Sequence, residues 1–137
     1  MIDYAYLYAQ AKLARSFSYC PYSHFAVGAA LLCADGSVYL GCNVENASFG
    51  AGNCAERVAI SKAVSDGKRD YLAIAILGGK EGQAPQFCPP CGICRQFMTE
   101  FCDHNAFEVV LYHEDGAPEV HHLSDLLPLQ FTSTDLE

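Results

Sequence analysis

The segment "YLAIAILGG", residues 71–79, constrains the fold more than any other part of the chain. It contains no charged residue, and only its first residue carries a polar group. A strand with one face in water alternates apolar and polar residues, whereas a strand covered on both faces is apolar throughout. The segment therefore predicts a central strand with a layer of other elements on each face.

The rest of the sequence provides elements that can form these layers. Apolar spacing and end signals predict four helices, over residues 3–18, 53–67, about 92–102 and 123–128. In the second helix, Asn53 is placed to cap the start and Gly67 to end it. Further strands are predicted on either side of an Asp35-Gly36 turn within residues 24–44, and over residues 106–115. Strands that alternate with helices predict one α/β domain, residues 1–137, with helices on both faces of a mixed sheet.

Charge and composition exclude several classes of function. The formal charge of −8 argues against binding a nucleic-acid polymer, which requires clusters of Lys and Arg. No stretch approaches the roughly 18 apolar residues of a membrane span. The start, "MIDYAYLYAQAK", has no basic region and is not expected to be a secretory signal. Eight cysteines in a chain of 137 residues do not require a disulfide framework, so we predict a cytoplasmic protein that uses thiols for metal binding or burial.

Three cysteines lie close together in "FCPPCGICRQF", residues 87–97. If a helix begins near Gly92, Cys91 and Cys94 are about one turn apart on one face, which suits two thiolates on a tetrahedral zinc ion. Cys88 is separated from Cys91 by two prolines that favour an extended path of about 9 Å, so it is predicted to lie outside the site. A redox pair and unreactive buried thiols are alternatives at this point.

A second segment, "NCAER", favours the catalytic alternative. Cys54 opens another helix, and a third thiolate completes the usual protein ligand set of a catalytic zinc, which leaves its fourth position to water. Glu56, two residues later, can reach that water as a proton carrier. The guanidinium of Arg57 can donate hydrogen bonds to thiolate sulfurs and withdraw charge from them.

The combined motifs "CAER" and "PCGICRQ", with "YSHFAVGAALL" and "GCNVENASFG", resemble the short-chain zinc-dependent cytidine deaminases of the cytidine and deoxycytidylate deaminase superfamily. The resemblance extends from about Pro21 to Phe131. It implies a three-layer α-β-α sandwich around a mixed five-stranded sheet. It also implies hydrolytic deamination of cytidine and deoxycytidine to uridine and deoxyuridine in pyrimidine salvage, by a homotetramer with shared sites.

The resemblance also implies roles for individual residues. Cys54, Cys91 and Cys94 would hold one Zn²⁺ per subunit, and Glu56 would carry protons during attack at C4 of the pyrimidine. The backbone around Ala55 would contact the base, Phe25 would pack beside the substrate, and Asn43 and Glu45 would bind the ribose hydroxyls. Phe131 would reach the site of a neighbouring subunit. The family often has Tyr where this chain has Phe49, so a hydroxyl is missing there.

Other functions and other ligands compete with this interpretation. A blasticidin S deaminase-like enzyme shares the cysteine motifs, but the pair in "NVEN" favours a nucleoside. The acidic charge disfavours a polynucleotide-editing deaminase, and a non-catalytic zinc-stabilised module is a further alternative. The other histidines and cysteines are not expected to bind the metal. The histidines are His24, His104, His113, His121 and His122, and the cysteines expected to be buried thiols are Cys20, Cys33, Cys42 and Cys102.

Overall fold

The central strand predicted from "YLAIAILGG" is β3, Tyr71–Lys80, in a computed structural model that describes residues 1–137. The other strands are β1 (Phe25–Cys33), β2 (Val38–Cys42), β4 (Glu108–Tyr112) and β5 (Pro118–His122). They form one sheet in the order β2-β1-β3-β4-β5. β3 pairs antiparallel with β1 and parallel with β4, and the two edge pairs are antiparallel, so the predicted mixed five-stranded sheet is confirmed.

Helices cover both faces of this sheet. The helices are α1 (Tyr4–Arg15), α2 (Ala55–Ser65), α3 (Gly92–Phe101) and the short α4 (Leu123–Leu126). On one face, Leu7 and Ala11 of α1 pack against Ala75 and Leu77 of β3. On the other face, α2, α3 and α4 contribute Ile60, Met98 and Leu123 to a core that includes Ile74 and Ile76 of β3. The three-layer architecture is therefore confirmed, and no helix has the length and apolar character needed to cross a membrane.

The structure departs from two local predictions and contains one strand that the residue patterns did not predict. The first helix ends at Arg15 rather than near residue 18, because the hydroxyl of Ser16 donates to the carbonyl of Leu13 at 2.6 Å and the chain then turns towards the sheet. Asn53 does not cap α2: it pairs through its backbone with Val44, and Cys54 occupies the N-cap position instead. Residue patterns did not locate β5, because an exposed edge strand of mixed polarity carries a weak periodic signal.

Two glycines set the distance between the sheet and its helices. A β-carbon added at Gly28 would lie 2.2 Å from the carbonyl oxygen of Ala11, so α1 packs directly on the backbone of β1. A β-carbon at Gly41 would lie 2.3 Å from the carbonyl oxygen of Ala55, so the first turn of α2 packs directly on β2. This second contact fixes the start of α2, which carries Cys54 and Glu56.

Candidate active site

The N-terminal ends of α2 and α3 meet, and each has a cysteine as its N-cap residue. Cys54 and Cys91 have extended backbone angles, and neither side chain caps its own helix. Their sulfur atoms instead approach each other at 3.9 Å, and Cys94, in the first turn of α3, completes a group whose three sulfurs all lie within 4.8 Å of one another. No other set of three His, Cys, Asp or Glu side chains is close enough to share a metal ion.

The spacing of these sulfurs fits a zinc ion. Two thiolates on one tetrahedral zinc, at Zn–S of about 2.3 Å, have sulfurs about 3.8 Å apart, close to the distance between Cys54 and Cys91. Sulfur donors and tetrahedral geometry together are typical of zinc rather than of magnesium or calcium. The donor set present therefore suits zinc, with one position left for a further ligand.

The charge environment favours a thiolate at Cys54. Hydrogen bonding from Cys94, supported by Arg57 and Cys91, lowers the pKa of Cys54 to about 5. The hydrogen bond with Cys54, together with burial, raises the pKa of Cys94, because Cys94 donates its thiol proton to the sulfur of Cys54. Two helix N-termini point at the group, and their partial positive charges stabilise anionic sulfur.

Arg57 lies where its side chain can act on this charge. One terminal nitrogen, Nη2, donates to Cys54 Sγ at 3.6 Å and to the carbonyl of Gly52 at 3.4 Å. The contact with Cys54 raises the pKa of the guanidinium, which therefore remains charged. Its Nε atom is buried without a hydrogen-bond partner. The predicted contact between Arg57 and a thiolate sulfur is present in the structure.

Glu56 is buried beside the three cysteines. Its side chain is 4% exposed, and burial raises the pKa of its carboxyl group. A raised pKa makes a carboxylate a stronger proton acceptor, which suits a group that accepts and returns protons in general acid–base catalysis. Sequence order places Glu56 in the first turn of α2, directly after the N-cap residue Cys54 and Ala55.

A cavity of about 460 Å³ opens in front of these residues. Four of the residues expected to contact substrate line it: Phe25, Asn43, Glu45 and Ala55. Cys54, Cys91, Glu56 and Arg57 form part of the same wall, whereas Cys94 lies behind it at 1% exposure. A second cavity of about 390 Å³ adjoins the first and includes Tyr22, Asn46 and Phe49.

The two residues expected to bind ribose are held firmly. Glu45 accepts hydrogen bonds from the backbone N–H groups of Tyr22 and Ser23, at 3.0 and 3.1 Å, and from the hydroxyl of Ser23. The bonds from Ser23 lower the pKa of Glu45, so this carboxylate remains ionised. The amide of Asn43 donates to the carbonyl of Phe25 at 2.7 Å and accepts from the N–H of Val27 at 2.9 Å.

Two residues singled out in the sequence lie outside the three-cysteine group. Cys88 lines the cavity without belonging to the group, and burial raises its pKa to about 11. Phe131 does not line the cavity of its own chain, and its side chain is 58% exposed. None of the five histidines belongs to the three-cysteine group: His113 and His121 both contact Glu119, and His24 contacts Glu81.

Sequence reasoning missed the support that surrounds the site. Ser23 holds Glu45, and Val27 and Pro89 line the cavity, yet none of them carries a recognisable local signal. Ser23 and Glu45 lie 22 residues apart and meet only because the segment before β1 folds against the segment after β2. Such contacts depend on the pairing of strands and cannot be found from spacing within one segment.

Comparison with known proteins shows which protein family this chain resembles in sequence and structure. The model of the cytidine and deoxycytidylate deaminase zinc-binding region matches residues 1–110. A cytidine deaminase of Sporosarcina psychrophila is 45% identical over 135 residues, which cover 98% of this chain and 96% of that protein. One from Halalkalibacterium halodurans is 46% identical, with 98% of each chain covered. The crystal structure of cytidine deaminase from Burkholderia pseudomallei superposes with a TM-score of 0.86 at 45% identity, covering 95% of this chain and all of that one.

Proposed function

The chain belongs to the cytidine and deoxycytidylate deaminase family, and on this premise we propose how its residues deaminate cytidine. The enzyme is a hydrolase that converts cytidine to uridine and ammonia. The observation that carries the assignment of roles is the convergence of three cysteine sulfurs beside a cavity whose wall contains Cys54, Cys91 and the buried Glu56.

Cys54, Cys91 and Cys94 are proposed to hold one Zn²⁺ per subunit. The zinc-binding region of the family model and the spacing of the sulfurs support this assignment. When bound, the zinc ion lowers the pKa of a water molecule so that it can act as a nucleophile near neutral pH. Arg57 withdraws charge from Cys54, which offsets the excess negative charge of three thiolates around a divalent ion.

Glu56 is proposed to move the protons of the reaction. Its carboxylate accepts a proton from the attacking water and passes it to N3 of the pyrimidine. It then transfers the proton of the new C4 hydroxyl group to the amino group, which leaves as ammonia as the C4–N bond breaks and the C4 oxygen becomes the carbonyl of uridine. The position of Glu56 on the cavity wall and its raised pKa support this double use.

The substrate is proposed to lie with its base near Phe25 and Ala55 and its sugar near Asn43 and Glu45. An ionised Glu45 only accepts hydrogen bonds, so it suits a hydroxyl donor. Deoxycytidine retains the 3′ hydroxyl and is proposed as a second substrate. The net charge of −8 disfavours a nucleic-acid polymer.

A homotetramer with shared sites is proposed from the family resemblance and from two exposed features. The aromatic rings of Tyr22 and Phe49 pair at 5.8 Å beside the cavity and are 50% and 80% exposed. Phe131 is exposed and available to a neighbouring copy. Sedimentation tests the assembly: a fully active monomer would contradict shared sites. We also propose a cytoplasmic enzyme of pyrimidine salvage.

The conversion of Glu56 to Gln tests the proton-transfer role. The variant keeps the shape of the side chain but cannot carry a proton, so turnover of cytidine should fall by at least ~10²-fold while zinc content is unchanged. Glu100→Gln, on the exposed side of α3, is the matched control and should retain activity. Turnover is measured by the fall in absorbance as cytidine becomes uridine, and retained activity in the Glu56 variant would exclude the role.

The same assay separates the alternatives that the sequence left open. A blasticidin S deaminase-like enzyme would turn over blasticidin S faster than cytidine or deoxycytidine. A non-catalytic zinc-stabilised module would bind zinc and turn over none of them. The relatives from Sporosarcina psychrophila and Halalkalibacterium halodurans are both cytidine deaminases, which favours neither alternative.

A further inference from the structure

One side chain on α3, that of Arg95, contacts two distant parts of the chain. Its Nε atom donates to the carbonyl oxygen of Pro90 at 2.9 Å, and its Nη1 atom donates to the carbonyl oxygen of Leu126 at 2.7 Å. Pro90 directly precedes Cys91, and Leu126 is the last residue of α4. The partly buried guanidinium therefore bridges the loop in front of Cys91 and the C-terminal part of the chain.

The loop that precedes Cys91 makes few hydrogen bonds with the rest of the chain. Pro89 and Pro90 have no N–H group, so they cannot donate to a neighbouring strand. Along residues 87–90, the bond from Arg95 is the one hydrogen bond that the backbone makes within the chain. The backbone N–H of Arg95 also donates to the carbonyl of Cys91 at 3.0 Å, so Arg95 holds the peptide groups on both sides of Cys91.

We propose that Arg95 is a positioning residue that orients Cys91 and couples the end of α4 to metal retention at the three-cysteine group. This inference rests on the proposed function, in which Cys91 is a zinc ligand. The planar guanidinium donates in two fixed directions, so a shift of the Leu126 carbonyl changes how well Nε can hold Pro90. Leu126 packs partly against the core, which fixes that end of the bridge.

The neighbouring Gln96 provides a contrast. Its Nε2 atom donates to the carbonyl of Phe131 at 2.8 Å and does not contact the loop before Cys91. It fastens the C-terminal segment to α3 without touching a proposed ligand. Arg69 provides a second contrast, because its guanidinium donates to the carbonyls of Val64 and Lys68 at the opposite end of α2 from Cys54.

The experiment compares zinc release from four variants with release from the wild type. Arg95→Met keeps the apolar stem but removes both donors, and it should release zinc to a chelator about 10-fold faster, the lower range for loss of a group that orients a metal ligand. Arg95→Lys, with one point donor, should fall between wild type and R95M. Gln96→Met and Arg69→Met should release zinc at the wild-type rate.

A spectroscopic measurement separates positioning from general loosening. In protein loaded with Co²⁺ instead of zinc, the visible absorption bands report the geometry of the sulfur ligands. The bands should shift in R95M, move back towards the wild type in R95K, and stay unchanged in Q96M and R69M. Circular dichroism at the assay temperature establishes that each variant is folded.

Leu126→Ala tests the coupling to α4. Loosening the end of α4 should accelerate zinc release when Arg95 is present and should add nothing in the R95M background. Equal release from wild type and R95M, or an independent effect of L126A in both backgrounds, would overturn the inference. A wild-type protein that binds no zinc would instead contradict the proposed function, so the two failures are distinguishable.

Discussion

Gly41→Ala should show that activity depends on the position of the α2 N-terminus, and not only on the overall stability of the fold. A β-carbon at residue 41 would lie 2.3 Å from the carbonyl oxygen of Ala55 and 2.5 Å from the backbone nitrogen of Ala59. Both are backbone atoms, so no side-chain rotation can relieve the overlap. Ordinary contact begins at 3.4 Å, and α2 must therefore move away from β2 by about 1 Å.

The movement has two separate costs. Overpacking destabilises a core by about 1–3 kcal/mol, and the lower entropy of Ala in the unfolded chain offsets about 0.4–1 kcal/mol of this. We expect a net loss of about 1–2 kcal/mol in the free energy of unfolding. Because Cys54 and Glu56 lie at the start of α2, the same 1 Å displacement should reduce kcat/KM by up to ~100-fold.

Gly28→Ala is the matched control on the opposite face of the sheet. Its β-carbon would overlap the carbonyl oxygen of Ala11 at 2.2 Å, so a similar loss of stability is expected, but the helix displaced is α1, which carries no site residue. Urea unfolding measures stability, and the cytidine assay measures kcat/KM at a temperature where both variants are folded. Equal losses of activity in G28A and G41A would refute the displacement of α2 as the cause.

Three further predictions concern reactivity and the first hairpin. In metal-free protein at pH 7, iodoacetamide should modify Cys54 before Cys88. The pKa of Cys54 is about 5 and that of Cys88 is about 11, so of these two cysteines only Cys54 is a thiolate at this pH. Peptide mapping by mass spectrometry detects the order of modification, and bound zinc should protect Cys54. Modification of Cys54 should decline as the pH falls through about 5, and equal labelling of both cysteines would contradict the assignment. Arg57→Gln should raise the pKa of Cys54 in the metal-free protein and lower kcat by about 10-fold, with the pH dependence of labelling as the direct measure. Gly36→Ala should lower the free energy of unfolding by about 1–2 kcal/mol without changing kcat. The φ angle of +90° at Gly36 strains an alanine, and no atom lies within 4 Å of the new methyl group, so no steric clash contributes. An unchanged urea midpoint would argue against backbone strain.

The sequence alone was enough to locate the elements whose signal is local. The apolar run at 71–79 identified a strand covered on both faces, and the Asp35-Gly36 pair identified a turn in which Gly36 has a positive φ. The start of α3 at Gly92 followed from the same kind of signal. Each of these features depends on residues within a few positions of one another, so spacing and residue type are sufficient to reveal it.

Local signals failed where a residue was recruited by a distant segment. Asn53 is a residue type that often caps helices, but its backbone pairs with Val44. The N-cap position is therefore occupied by Cys54. That shift of one residue has a functional consequence. A cysteine at the N-cap does not bond to its own helix, so its sulfur is available to face the second helix.

The sequence by itself determined which residues could form the site: three cysteines near two helix starts, and a glutamate two residues after the first. Only the tertiary structure brought Cys54 to within 3.9 Å of Cys91, across 37 residues of chain. That distance depends on the parallel pairing of β3 with β4 and on the direct packing of α2 on Gly41. Spacing along the chain encodes the chemistry of the ligands, whereas the packing of helices on the sheet decides whether those ligands meet.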